Sequence, residues 1–191
     1  MIIAGTTFMG CKSQQVQQSN TDYKPKPSSP FDEAYYEPPC AEKDTDDEFA
    51  AFGIASGSRN RMDILQTSAL TNAQNVIRQK MQHAYKGAID DYSNYMGNNF
   101  GSDAEAKVER AGTQIIDRII NDTKTVCGPK FSSVDDKGDV TCFVGIRISK
   151  KQVAQAITKH LSEDDELKIR FNEQEFRKRM EENFEKYKEQ R

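Results

Sequence analysis

Apolar residues recur at positions 62, 65, 69, 73, 76, 77, 81, 84, 85, 88 and 92. Steps of three and four residues place side chains on one side of an α-helix, and here the pattern holds for about eight turns. A helix that long with one apolar side has to bury that side, so it is the spine of the core this chain builds. Asn60 offers an N-cap with Asp63 three residues on, and Gly97-Asn98-Asn99-Phe100-Gly101 closes the helix.

The flanking segments point to a mixed fold. Phe49-Ala50-Ala51-Phe52-Gly53-Ile54-Ala55 is short and apolar, is closed by Ser56-Gly57-Ser58, and reads as a strand. Ser102 and Glu105 have the spacing of a capping box for a second helix, whose stripe is Val108, Ala111, Ile115, Ile116, Ile119 and Ile120. Two strands follow, Thr123–Ser133 and Asp139–Ser149, around the turn-forming Asp135-Asp136-Lys137-Gly138. In the second, Val140, Cys142, Val144, Ile146 and Ile148 alternate with Thr141, Phe143, Gly145, Arg147 and Ser149, so one face is buried. Ser149 with Gln152 caps a third helix carrying Val153, Ala156, Ile157 and Leu161. The expected fold is α+β: a small antiparallel sheet of about three strands, in the order β-α-α-β-β-α, with helices on one face and a charged helix at the C-terminus. The domain is expected over 46–161.

Residues 162–191 form that charged segment, with Ser162 and Asp165 placed to open it. On a helical wheel Ile169, Phe176, Met180, Phe184 and Tyr187 share a narrow stripe, with Leu167 and Phe171 roughly opposite. Two readings are open. The stripe packs on its own domain, or it is an interaction surface that pairs with another copy or a partner.

The N-terminus bears on location. Met1 to Gly10 is uncharged and mostly apolar or small, and it runs directly into Cys11. That is the form of the apolar stretch and cleavage site of a secretory signal. A cysteine directly after the cleavage point is the lipobox position, where bacteria attach diacylglycerol to the thiol. No Lys or Arg precedes the apolar run, so the basic start of the signal is expected upstream of Met1. The competing reading is a chance apolar N-terminus on a cytosolic protein with an ordinary thiol at Cys11. Segment 1–10 is thus the signal and 11–45 a lipidated tether. Gln, Ser, Asn, Pro and charge dominate 12–45, a composition too polar to offset the entropy of ordering. A flexible chain of that length reaches roughly 30 Å or more. Within it Phe31 to Tyr36 is the more apolar patch.

Cysteines add a constraint. With Cys11 acylated, Cys40, Cys127 and Cys142 remain, and an oxidising envelope allows one disulfide. If the hairpin loop is 135–138, Cys127 faces Ile146 and Cys142 faces Phe131. Four residues of offset is about 13 Å, beyond the roughly 7 Å limit for a bridge. Cys142 then reads as a small buried hydrophobe. Cys40–Cys127 is the other pairing that uses Cys127; the alternative is three reduced thiols.

Little else points to chemistry. His83 and His160 have no second His or Cys at ligand spacing, so neither a metal nor another cofactor is expected. Gly53 to Ser58 lacks the further Gly and the Lys of a phosphate-binding loop. Asp90-Asp91 and Asp135-Asp136 read as solvated charges. Tyr85, Tyr92 and Tyr95, with Met81, Met96 and Phe100 nearby, read as core or a helix seam rather than a ligand groove. The net charge is −3 with both signs interspersed, which leaves no electrostatic footprint for nucleic acid. No apolar run reaches the 18 or so residues of a membrane span.

The stretch F-A-A-F-G-I-A-S-G-S-R-N-R-M-D-I-L-Q-T-S-A-L-T-N-A-Q-N-V-I, with Ala69 and Asn72-Ala73 inside its helix, resembles the LPP-twenty lipoproteins of Gram-negative envelopes. The later V-T-C-F-V-G-I-R-I-S-K fits the same template, and the resemblance covers about 46–161. It implies an outer-membrane lipoprotein with a compact α+β domain, related in shape to the N-terminal domain of the flagellar assembly protein T, and it implies no catalytic residues. Lys12 is not Asp, which under the enterobacterial sorting pattern points to the outer membrane.

The function expected from the sequence is a lipid-anchored envelope protein in a structural or adaptor role, not an enzyme. Its partners are the membrane, through Cys11, and another envelope protein or a second copy; neither nucleic acid nor a small molecule is expected. The rival is an envelope ligand carrier or enzyme whose site lies in a groove between the long helix and the sheet. A soluble cytosolic helical adaptor is the third reading.

Overall fold

The strand with the strict alternation, β3 (Asp139–Ser149), lies in the middle of a three-stranded antiparallel sheet. β1 (Glu48–Ser58) and β2 (Thr125–Phe131) flank it. The computed structural model describes residues 38–165 and 171–187. Four helices complete the described fold: α1 (Met62–Met96), α2 (Ser102–Asn121), α3 (Lys150–Ser162) and α4 (Glu173–Lys186). The architecture is α+β, as the sequence predicts.

In the β1–β3 pair, Phe49 lies opposite Ile148, Ala51 opposite Ile146, Gly53 opposite Val144 and Ala55 opposite Cys142. Directly opposed residues share a face, and this one faces the helices. α1 lies across β1 and β3, α2 and α4 each pack on α1, and α3 packs on both. Gly53 marks the crossing of α1 over β1. A Cβ there would stand 1.9 Å from the Ala69 carbonyl oxygen and 2.5 Å from the Ala73 nitrogen. Only glycine lets the helix backbone come that close. Ala69, Ala73, Ile77, Met81 and Val144 are fully buried around this contact.

β1 is longer than predicted. The ladder continues through Ser56↔Thr141 to Ser58↔Asp139, and the Ser56 and Thr141 hydroxyls are hydrogen-bonded at 2.8 Å. Ser56-Gly57-Ser58, expected to close the strand, therefore continue it. The capping box at Ser102 is not formed: Gly101 is the N-cap, and the Glu105 carboxylate accepts instead from the Ser93 hydroxyl of α1 at 2.8 Å. Ser149 does cap α3, its hydroxyl accepting from the Gln152 N–H at 3.4 Å.

Two boundaries differ from the sequence reading. Residues 38–45, read as the end of the tether, are fixed to the domain, Cys40 by a disulfide, Glu42 by Arg147 and Asp44 by Ala50 and Lys80. At the other end Ser162 closes α3, and the N-cap of α4 is Asn172, whose side chain accepts from the Glu175 N–H at 3.1 Å. Asn172 and Glu175 repeat the spacing of Ser162 and Asp165, and tertiary packing selects between them: the Asn172 N–H donates to the Tyr92 hydroxyl on α1 at 2.7 Å.

Candidate functional site

Cys11 lies outside the described residues, as does Ile169. Cys40 and Cys127 are joined by a disulfide, with Cα atoms 5.5 Å apart. Cys142 faces Phe131, as the hairpin register predicts, and is buried in the core, where desolvation raises the pKa of its thiol. Cys127 does not face Ile146. Register shifts on both sides of it place it opposite Gly145. The irregularity lies at Gly128-Pro129, joined by a cis peptide bond, with Gly128 at a φ of 93°. An extra residue in the ladder turns the side chain to the other face of the sheet. Cys127 thereby points away from the helices.

That face is crossed by the segment Pro38–Asp47, a strap held at Cys40, Glu42 and Asp44. Cys40 is bonded to β2. The Glu42 carboxylate accepts from Arg147 Nε on β3 at 2.8 Å, and Glu48 accepts from Arg147 Nη1 at 3.1 Å. These two carboxylates, Glu42 foremost, raise the pKa of the guanidinium. Asp44 Oδ1 accepts from the Ala50 N–H of β1 at 2.7 Å. Lys80 Nζ of α1 then lies 2.9 Å from both Asp44 oxygens and 2.6 Å from the Ala50 carbonyl. The three acceptors match the three donors of an ammonium, so this side chain, only 7% exposed, leaves no donor unsatisfied. Gly145 lets the strap approach: a Cβ there would stand 2.9 Å from Glu42 Cγ and 3.0 Å from the Cys40 carbonyl.

The same contacts close the free edge of β1. Thr45 pairs with Glu48 through its N–H and hydroxyl, Asp44 and Lys80 take Ala50, and Asn72 Nδ2 donates to the Ile54 carbonyl at 2.9 Å. On the opposite edge β2 is short and bulged and carries Pro129. Such edges resist pairing with strands of other chains.

The C-terminal stripe is not an open interaction surface. Phe176, Met180 and Phe184 are buried, and Tyr187 is partly buried against the same core. Phe184 meets Phe49 edge to face at 5.1 Å, and Phe176 meets Tyr92 at 5.1 Å. The domain offers this stripe an apolar surface of its own along α1, which makes packing at home the outcome. Tyr85 and Tyr92 are core, and Tyr95 is 53% exposed beneath Arg179. The Tyr85 hydroxyl donates to the Val108 carbonyl at 2.7 Å while its ring fills the space over Gly112, and burial drives its pKa far above the ordinary phenol value.

Surface depressions lined by the described residues include two of note. One of ≈ 510 Å³ is lined by Asp46, Asp47, Ser149, Lys150, Lys151, Glu181 and Glu185, and one of ≈ 270 Å³ by Ala111, His160, Leu161, Glu163 and Asp164. Neither lies between α1 and the sheet. Among the described residues no three His, Cys, Asp or Glu side chains converge to hold a metal ion, and no helix is long and apolar enough to cross a membrane. No protein-family model, curated protein or solved structure matches the chain. Sequence reasoning did not single out Glu42, Asp44 or Lys80, and placed Arg147 only on the second face of its strand.

Proposed function

We propose that this chain is a lipid-anchored protein of the bacterial cell envelope, akin to the LPP-twenty lipoproteins, and that its folded domain is a non-catalytic structural or adaptor module. It binds another envelope protein or a second copy of itself. The observation that carries the reading is Cys11, directly behind Phe8-Met9-Gly10 and ahead of a polar, proline-rich stretch. The Cys40–Cys127 disulfide supports it, because such bonds persist in oxidising compartments. Two or three acyl chains on one cysteine give stable anchoring where a single chain does not. The outer membrane is the proposed location, from Lys12.

The adaptor role is favoured over the ligand carrier by the filled groove. Ala69 and Ala73 of α1 sit on Gly53 of β1 in backbone contact, which leaves no room there for a small molecule. Fractionation of cells expressing wild-type or Cys11→Ser protein tests the anchor. Wild-type protein is expected to sediment with membranes and to incorporate labelled fatty acid, and Cys11→Ser to do neither. Identical behaviour of the two chains refutes the reading.

A further inference from the structure

We infer that Pro38–Asp47 is where a load on the N-terminal chain enters the domain, and that the Cys40–Cys127 disulfide carries this load past β1, α1 and α2. The inference rests on the tethered reading given above. A pull arriving at Pro38 meets Cys40 two residues later, where the Ala41 N–H turns back onto the Pro38 carbonyl at 3.0 Å. From Cys40 the force has a covalent route to Cys127 on β2. The 87-residue separation between the two cysteines becomes a closed loop outside the loaded path.

Without that bond the force runs along the strap instead. The attachments it then loads stand in series, among them Glu42 on Arg147, then Asp44 on Lys80 and Ala50, then Thr45 on Glu48 and the Asp47 carbonyl on the Lys150 N–H. Attachments in series are loaded one at a time, and the first is a partly exposed ion pair, a weak class of contact. The strap then peels, and the load passes to β1, an edge strand. Oxidation therefore decides whether the tether pulls on β2 through a covalent bridge or on β1 through the strap.

The test is single-molecule pulling of the full chain by handles on its two termini, with and without dithiothreitol, with Cys127→Ser as the permanently open form. The oxidised chain is expected to reach full extension about 300 Å short of the reduced one, from 87 residues at roughly 3.3–3.6 Å each. The reduced and Cys127→Ser chains are expected to show an added low-force step of about 30 Å, the length of the strap. Equal extension in the oxidised and reduced chains overturns the inference, since no bridge then exists. So does a longer extension without the added step, since the polar attachments alone then hold the strap. The measurement needs no acylation at Cys11, so a failed anchor reading leaves its outcome intact.

Discussion

Replacing Gly53 by alanine tests the contact that closes the groove between α1 and the sheet. The added methyl would lie 1.9 Å from the Ala69 carbonyl oxygen, 2.5 Å from the Ala73 nitrogen and 3.0 Å from the Ala69 carbonyl carbon. All three are helix backbone, which no rotamer change can move aside. Restoring ordinary contact near 3.4 Å requires α1 to withdraw by about 1.5 Å. A gap of even ~1 Å forfeits up to about half of the dispersion energy of the contacts it opens, here those of Ala69, Ala73 and Ile77. The expected cost is at the top of the overpacking range, about 3 kcal/mol or more. For a domain of this size that lowers Tm by roughly 6–12 °C. Urea and thermal unfolding followed by far-UV circular dichroism read it directly. Gly57→Ala is the control: its Cβ would meet only the tip of the Leu65 side chain, at 3.3 Å, and the cost is expected to stay below about 1 kcal/mol. A Gly53→Ala protein within about 1 kcal/mol of wild type would refute the close crossing, and with it the filled groove.

Three further outcomes follow from the same packing. Lys80→Met leaves Asp44, 11% exposed, without its cation, with an expected loss of about 3 kcal/mol in urea unfolding; Asp44→Asn added to it is expected to return part of that loss. Phe176→Ala is expected to cost about 3–5 kcal/mol while leaving the molecular mass in solution unchanged, because the ring is core and not interface. The pKa of Tyr85 is raised on folding, so its contribution is fully present below the ordinary value near 10.0 and falls as pH rises beyond it. Unfolding measured from pH 8 to 11 should therefore show a smaller alkaline loss in Tyr85→Phe than in wild type.

The elements with strong periodicity were legible in the sequence. β3 has the predicted limits, Asp139–Ser149, because five alternating apolar residues leave one register that buries them. α1 starts and ends within two residues of its predicted bounds, since its stripe is long and Gly97 stops it. The strap was not legible. Glu42 and Asp44 look like solvated tether residues until Arg147, 105 residues away, and Lys80, 36 residues away, are placed beside them. No local rule pairs charges at such distances. The facing of Cys127 depended on a bulge that Gly128-Pro129 hints at but does not count. The stripe of α4 was readable from spacing, but its destination was not, since amphipathicity says that a face is buried and not by what.

The account stands or falls with the chemistry of Cys11. Intact-mass and N-terminal peptide mass spectrometry of the protein purified from the membrane fraction tests it most directly. The predicted result is a mature chain that begins at Cys11 and carries two or three fatty acyl groups on that residue. An unmodified chain that still contains residues 1–10, recovered from the soluble fraction, contradicts it.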